Sequence, residues 1–296
     1  AACWVPSSAA ALHADVSKRV VITCWGSYGD LFPYLAIALR LKALGHRPLV
    51  ATIAFHREMV ETLGLEFHPM RPDVDPSDTD LIARIMHPSR GPEVVIREIV
   101  APAVRDAFND VRDAMCDADL VISHPVTFAT PIAADALKVP WLSTVLAPTS
   151  LFSVHDFPVL PPHPVVMRLA RTNPWVARWF MTIIRGATSN WTAPVRALRR
   201  EVGLADTGSP MLEGQFSPRG TLALFSPVFG TPQVDWPANT TATGFVFHDD
   251  CSPMTAEVER FMAVAIEMIV MVMLGGQATE LGPIIGGEGC QVTGGF

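Results

Sequence analysis

Charge is sparse in this chain of 296 residues: 17% are Asp, Glu, Lys or Arg, and 22 basic side chains face 29 acidic ones, for a net charge of −7. Without a basic excess to neutralise phosphates along a duplex, nucleic-acid binding is excluded and small molecules are the expected partners. Cysteine is scarce. Cys3, Cys24, Cys116, Cys251 and Cys290 are odd in number, far apart and share no C-x-x-C or C-x-x-H spacing, so neither a disulfide framework nor a zinc site is expected, and a reducing cytoplasm fits. Long apolar runs are missing too. The longest, Ile269 to Leu274 with Val264 to Ile266 before it, is interrupted by Glu267 and falls far short of the ~20 residues of a membrane-spanning helix. No basic stretch followed by a sustained apolar one opens the chain, so a secretory signal is not expected. Residues 1–17, which lack an initiating Met, are set apart as an unassigned leader.

What is present is apolar: hydrophobic residues make up 49% of the chain, enough for two domains or one plus part of a second. Strand and helix signals alternate. Arg19 to Trp25 is an apolar, β-branched run, followed by a loop to Pro33, where a helix capped by Gly45 is expected to start. Arg47–Thr52 and Leu65–Pro69 read as strands around a helix from His56 to Leu63, and Asp73–Asp80 as an acidic loop. Gly91–Cys116 has the 3.6-residue period of a long helix, which Pro102 should kink or split. Strands follow at Ala118–Ser123 and Val139–Val145 around a helix at Phe128–Leu137, then a shaped loop at Leu146–Pro164 and further strands at Thr221–Ser226 and Thr241–Val246. This βα order predicts an α/β fold with a doubly wound, Rossmann-like parallel sheet and right-handed crossovers. Between Val165 and Arg200 arginines alternate with Trp175, Trp179, Phe180 and Ile183. An amphipathic helix pair packed on the sheet is the structural reading; a face touching a lipid surface or an acidic partner is the other.

In a parallel sheet the loop after the first strand sits at the carboxyl edge, where such folds bind ligands. Gly26-Ser27-Tyr28-Gly29-Asp30 is not the dinucleotide fingerprint, because Tyr28 stands where a glycine is needed and no third glycine opens the helix. It is not a P-loop either, lacking Gly-Lys-Ser/Thr. It can still offer backbone N–H groups at a helix N-terminus to an anion or a hydroxyl. Asp30 has two readings that spacing leaves open: a helix cap, or a general base that takes a proton from a bound hydroxyl. His124, ending a strand at the same edge, is either a locally bonded histidine or part of a pocket. Phe128, Trp141, Phe152 and Phe157 can be core or pocket wall.

The segment Gly26-Ser-Tyr-Gly-Asp-Leu-Phe-Pro33 with the helix after it resembles the first loop of the GT-B glycosyltransferases, in the branch of sterol and antibiotic-aglycone glucosyltransferases. Gly64-Leu-Glu-Phe67, Ala118 to His124, Leu146 to Ser153, Pro158 to Pro162, Leu224 to Val228, Pro232 to Pro237 and Thr243-Gly-Phe245 extend the likeness in order from Lys18 to about Asp250. The resemblance implies a GT-B N-terminal acceptor-binding domain over residues 18–250. It implies a hexosyltransferase moving a sugar, with inversion, from a UDP- or dTDP-linked donor to a hydroxyl of a lipid-like or natural-product acceptor. No metal and no resident cofactor are expected. Asp30 matches the family's acceptor-activating base, and Gly26, Ser27 and Gly29 the loop that approaches the donor phosphates. Tyr28, His124, Phe128 and Phe152 are the expected acceptor-binding residues. Leu31-Phe32 replaces the family's frequent valine and polar residue, which should alter the acceptor mouth.

Beyond Asp250 the family's donor-binding motif is not matched. Residues 251–296 are read as an interdomain helix, Thr255 to Met262, and a remnant of the second domain, because a full domain of about 100 to 150 residues does not fit there. A truncated chain with little activity alone, cytoplasmic and in contact with membrane at most peripherally, is the resulting expectation. A non-catalytic Rossmann-like module binding a ligand or partner is the alternative.

Overall fold

The computed structural model describes residues 17–158, 164–248 and 255–262. The expected leader, part of the Pro158 to Pro162 motif and most of the expected second-domain remnant lie outside them. The described residues fall in two compact units, within Ala1–His248 and within Asp249–Phe296. In the second unit, residues 256–262 are helical, with the Thr255 carbonyl accepting from Glu259 N–H.

The first unit is built on seven parallel strands: β1 Arg19–Thr23, β2 Arg47–Thr52, β3 Glu66–Pro69, β4 Leu120–Ser123, β5 Trp141–Val145, β6 Thr221–Ala223 and β7 Thr240–Ala242. Their order across the sheet is β3-β2-β1-β4-β5-β6-β7. The chain winds outward to β3, then returns to pair β4 on the other side of β1, so the topological switch point lies between β1 and β4. Side chains alternate across the sheet with period two. Val20 and Ile22 pack with Leu31, Tyr34, Leu35 and Val60 on one face, whereas Val21, Leu49 and Val121 pack with Val104, Val111 and Ile132 on the other. Burial on both faces is why these strands read as continuous apolar runs.

The first helix, α1 Tyr28–Ala43, starts five residues before the expected point and carries Pro33 inside it. Ser27, with extended backbone, is the N-cap, and its N–H donates to the Asp30 carboxylate at 2.9 Å. That capping interaction nucleates the helix early, and Pro33 then forfeits only the bond its missing N–H would make to Gly29. The other end is as expected, with Gly45 at φ +87° beyond the last turn. Helices α2 Arg57–Thr62 and α3 Thr79–Ile85 follow β2 and β3. The second replaces part of the expected acidic loop, because the Asp78 side chain accepts from Leu81 N–H and caps it. A short α4, Gly91–Glu93, runs into a π-helical stretch Val94–Val100, and α5 begins at Val104, so the long helix is split at Pro102. After α6 Ala129–Leu137 and β5, the arginine-rich segment forms three helices rather than two: α7 Pro164–Thr172, α8 Pro174–Thr188 and α9 Ala193–Glu201. Among the described residues of these three helices, those that join the main core are Val195 and Leu198 of α9. Helix α8 packs instead on Phe157 and on Ala170 of α7.

Candidate active site

Three loops leave the carboxyl ends of β1, β2 and β4, and each brings a polar side chain to the switch point. From β1, the chain turns at Gly26, φ +140°, and Asp30 lies in the first turn of α1. An ideal Cβ on Gly26 would lie 2.2 Å from Asp30 Oδ2, so the loop and the carboxylate fit together only without a side chain there. Asp30 Oδ2 accepts from the Ser27 N–H and, at 3.1 Å, from the Ser27 hydroxyl. From β4, the His124 N–H bonds to the Thr23 carbonyl, and the Thr127 hydroxyl closes the following turn on the His124 carbonyl at 2.7 Å. His124 Nδ1 accepts from Val126 N–H at 3.4 Å, and its Nε2 lies 3.4 Å from Asp30 Oδ1. That separation is long for a hydrogen bond and short for an ion pair. The edge of Tyr34 supports the ring from below, with centroids 5.7 Å apart.

These contacts set the charge state of the site. Burial alone would raise the Asp30 carboxyl. His124, by hydrogen bond and charge, and then the Ser27 N–H and hydroxyl outweigh it and hold the group below the ordinary carboxylate range. Asp30 is therefore ionised at neutral pH. Burial, reinforced by the Asp30 charge, pushes the Cys24 thiol well up, so it stays protonated and is no nucleophile. Among the described residues no group of three or more His, Cys, Asp or Glu is placed to hold a metal ion.

Beside Asp30 opens a cavity of about 490 Å³, within the range of small-molecule sites. Gly26, Ser27, Tyr28, Asp30 and His124 line its polar end. Its walls are Trp25, Ile53 and Phe55 from the segments after β1 and β2, Ile82, Ile85 and Met86 around α3, and Val95 and Val126. The Trp25 indole N–H is already bonded to the Pro72 carbonyl at 2.7 Å, so the ring contributes apolar surface alone.

Of the residues expected at the site, Asp30, Gly26, Ser27, Tyr28 and His124 meet at this cavity. Gly29 does not line it; it is the second residue of α1. Phe128 is buried in the core against α5 and α6, and Phe152, in a left-handed turn at φ +49°, is likewise absent from the lining. Trp141 and Phe157 are core residues as well. The cavity wall is therefore mixed, with Trp25 and Phe55 beside the Ile82, Ile85 and Val95 that α3 and the π-helical stretch bring there, and without Phe128 or Phe152. Of the Leu31-Phe32 pair, Leu31 is wholly buried, while Phe32 stacks on Tyr28 at 5.6 Å.

Sequence reasoning missed His56. It follows β2 at the same edge, lines the cavity, and its Nε2 lies 3.1 Å from the Gly26 carbonyl. Donation to that carbonyl requires the proton on Nε2, leaving Nδ1 buried and unpartnered. Burial depresses the pKa of His56, against smaller raising effects of Gly26 and Asp30, so the ring is neutral and pins the turn. Its place one short turn beyond a strand end was the available signal.

An α/β domain with an anionic base candidate and an apolar cavity at its switch point defines the class. Residues 20–144 match the glycosyltransferase family 28 N-terminal domain. It is 27% identical over 241 residues to a sterol 3-beta-glucosyltransferase of Leptosphaeria maculans, covering 78% of this chain and 15% of that protein. It is 29% identical over 257 residues to O-mycaminosyltylonolide 6-deoxyallosyltransferase of Streptomyces fradiae, covering 83% of this chain and 58% of that one. A glycosyltransferase of Streptomyces sp. SF2575, solved in complex with thymidine diphosphate, superposes with a TM-score of 0.48 at 18% identity, over 80% of this chain and 56% of its own. The chain thus spans less than two thirds of the length of each of these relatives.

Proposed function

We propose that this domain, residues 18–250, is the acceptor-binding half of an inverting hexosyltransferase, with Asp30 as the base. The observation that carries this reading is the ionised Asp30 carboxylate at the polar end of an otherwise apolar 490 Å³ cavity. A lipid-like or polyketide-like acceptor would bury its rings against Ile82, Ile85 and Val95 and bring one hydroxyl to Asp30. Asp30 takes the hydroxyl proton as the oxygen attacks the anomeric carbon; the bond from that carbon to the donor phosphate breaks, and the nucleoside diphosphate leaves with the electron pair. The lowered pKa makes Asp30 a modest base, so proton transfer comes late, as the acceptor oxygen loses electron density. His124 holds the carboxylate and shares the proton's charge. The names of the relatives favour a sterol or macrolide acceptor and a UDP- or dTDP-linked donor. The free thiols of Cys24 and Cys116 suit a reducing compartment such as the cytoplasm.

The capping contacts of Ser27 favour a second reading, in which Asp30 only starts α1. Asp30→Asn separates the two, since asparagine also caps. The chain, joined to the donor half of the Streptomyces fradiae relative, is assayed with UDP- and dTDP-sugars, and acceptor binding is followed by Trp25 fluorescence. The base reading expects saturable aglycone binding in both forms and turnover reduced at least ~100-fold in D30N. Undiminished turnover in D30N makes Asp30 a cap alone, and absence of saturable binding removes the acceptor site.

A further inference from the structure

Helix α8 is apolar on two sides, and only one of them is covered. Ala177, Phe180 and Ile184 pack on Phe157 and α7. Trp175, Trp179 and Ile183, spaced i, i+4, i+8, share another face and are 76%, 61% and 44% exposed, with Leu169 of α7 at 58%. Exposing two tryptophans on one helix face is costly for a surface that meets only water.

The helices that carry this face are charged by arginine alone. From Phe157 to Arg200 the chain has seven arginines and no Asp, Glu or Lys, in a protein whose net charge is −7. Arg168, Arg171, Arg178 and Arg185 belong to α7 and α8. Arg171 is paired with Asp156, and Arg185 with Glu213. Arg178 has no carboxylate partner among the described residues; its guanidinium lies 5.4 Å from the Trp175 ring centre. Tryptophans flanked by arginines whose stems can lie along apolar surface are the composition of a helix that settles at the headgroup level of a bilayer.

We propose that the α7–α8 hairpin docks this protein on an anionic lipid surface. Trp175, Trp179 and Ile183 enter the headgroup boundary, and Arg168 and Arg178 meet lipid phosphates. Docking is peripheral: no described helix is long and apolar enough to cross a membrane. The assignment is independent of the sugar-transfer reading, because it uses none of the residues at the cavity.

Sedimentation of the purified chain with phosphatidylcholine vesicles, and with phosphatidylglycerol-rich ones, tests it. The chain is expected to partition onto the anionic vesicles, less so at high salt. Arg178→Gln should weaken partition about fivefold. Trp175→Ser with Trp179→Ser should weaken it about tenfold or more, with an unchanged circular dichroism spectrum showing that the fold persists. No partition, or equal partition onto neutral vesicles, overturns the proposal. So does a folded double-tryptophan variant that binds like the parent, since the contact then lies elsewhere in the chain. Retention on polyglutamate without vesicle binding would assign the face to an acidic protein and overturn the lipid assignment.

Discussion

Replacing Gly26 by alanine tests how the site is assembled more directly than removing a functional group. The backbone there has φ +140°, a conformation that side chains rarely adopt, and the new Cβ would lie 2.2 Å from Asp30 Oδ2 and 2.6 Å from Asp30 Cγ. No such contact survives. Either the carboxylate swings away and loses the Ser27 N–H at 2.9 Å, or the turn moves and pulls the Gly26 carbonyl off His56. The strained backbone costs about 1 to 3 kcal/mol. A lost hydrogen bond to a charged group adds about 1.5 to 3 kcal/mol, taken at its lower end because Asp30 is partly open to solvent. Together these amount to roughly 2.5 to 4.5 kcal/mol, or a fall in Tm of about 5 to 18 °C for a domain of this size. Gly29→Ala is the matched control: its Cβ would meet nothing nearer than Ser27 Oγ at 3.7 Å, and an alanine inside a helix gains about 0.5 to 1 kcal/mol. Thermal and urea unfolding followed by circular dichroism should give opposite signs for the two. A G26A protein within about 1 kcal/mol of the parent, where the backbone strain alone exceeds that, would refute the claim that Gly26 and the Asp30 carboxylate occupy mutually exclusive space.

The remaining predictions concern charge, space and tertiary ties. The folded-state pKa of Asp30 is lowered, because His124 and Ser27 outweigh the raising effect of burial. Its contribution is therefore complete above the unfolded value of about 4 and is lost as pH falls through the lower folded value. The stability gap between the parent and D30N should shrink on acidification in urea titrations, and a widening gap would contradict the sign. His56 acts in the same direction over a higher pH range: burial lowers its pKa, so the unfolded chain binds its proton first, and below pH ~6.5 the parent should lose stability relative to His56→Gln. Equal acid sensitivity of the two proteins would refute a neutral buried ring. Val95→Trp fills the cavity from the π-helical wall and should weaken aglycone binding at least ~10-fold, through lost burial of acceptor surface, with little effect on unfolding. Asp135 accepts from Trp141 Nε1 at 3.1 Å and from Arg199 at 2.8 Å, tying α6 to β5 and α9. Asp135→Ala should destabilise by about 1.5 to 3 kcal/mol by calorimetry, and a neutral result would show that the tie contributes nothing.

The sheet was legible because both of its faces are buried. Val20–Thr23 and Val121–Ser123 are buried throughout, and the separation of such runs by helix-length segments leaves parallel pairing as the consistent solution. Helix starts were less legible, since capping geometry overrides composition there. Pro33 marks a helix start only if nothing earlier nucleates one, and the Ser27–Asp30 contact does. At Asp78 the same kind of cap turned part of an acidic loop into α3, although Ile82, Ile85 and Met86 already had the i, i+3, i+4 spacing of a buried stripe.

At the site, the difference between what was read and what was missed comes down to strand order. Asp30 stands out locally, as an acid directly after a glycine turn. His124 reads as ending a strand at the same edge, whereas His56 is an ordinary histidine after a strand until β2, β1 and β4 are known to be adjacent, which puts all three loop ends at one edge. The aromatic residues also needed the fold: Phe128 stands at the start of α6, buried in the core with α5 and α6, and is not among the residues lining the cavity beside Asp30. The cavity wall includes Ile82, Ile85 and Val95, which no ligand motif marks, because apolar recognition needs shape and not a particular side chain. The polar end is different. There a carboxylate, two imidazoles and a glycine turn constrain one another within 3.4 Å, and changing any one displaces the next. The substitutions at Gly26, Asp30 and His56 should therefore be strongly non-additive in stability, and a double-mutant cycle between Gly26→Ala and Asp30→Asn that summed to within about 0.5 kcal/mol would show that the loop and the carboxylate act separately.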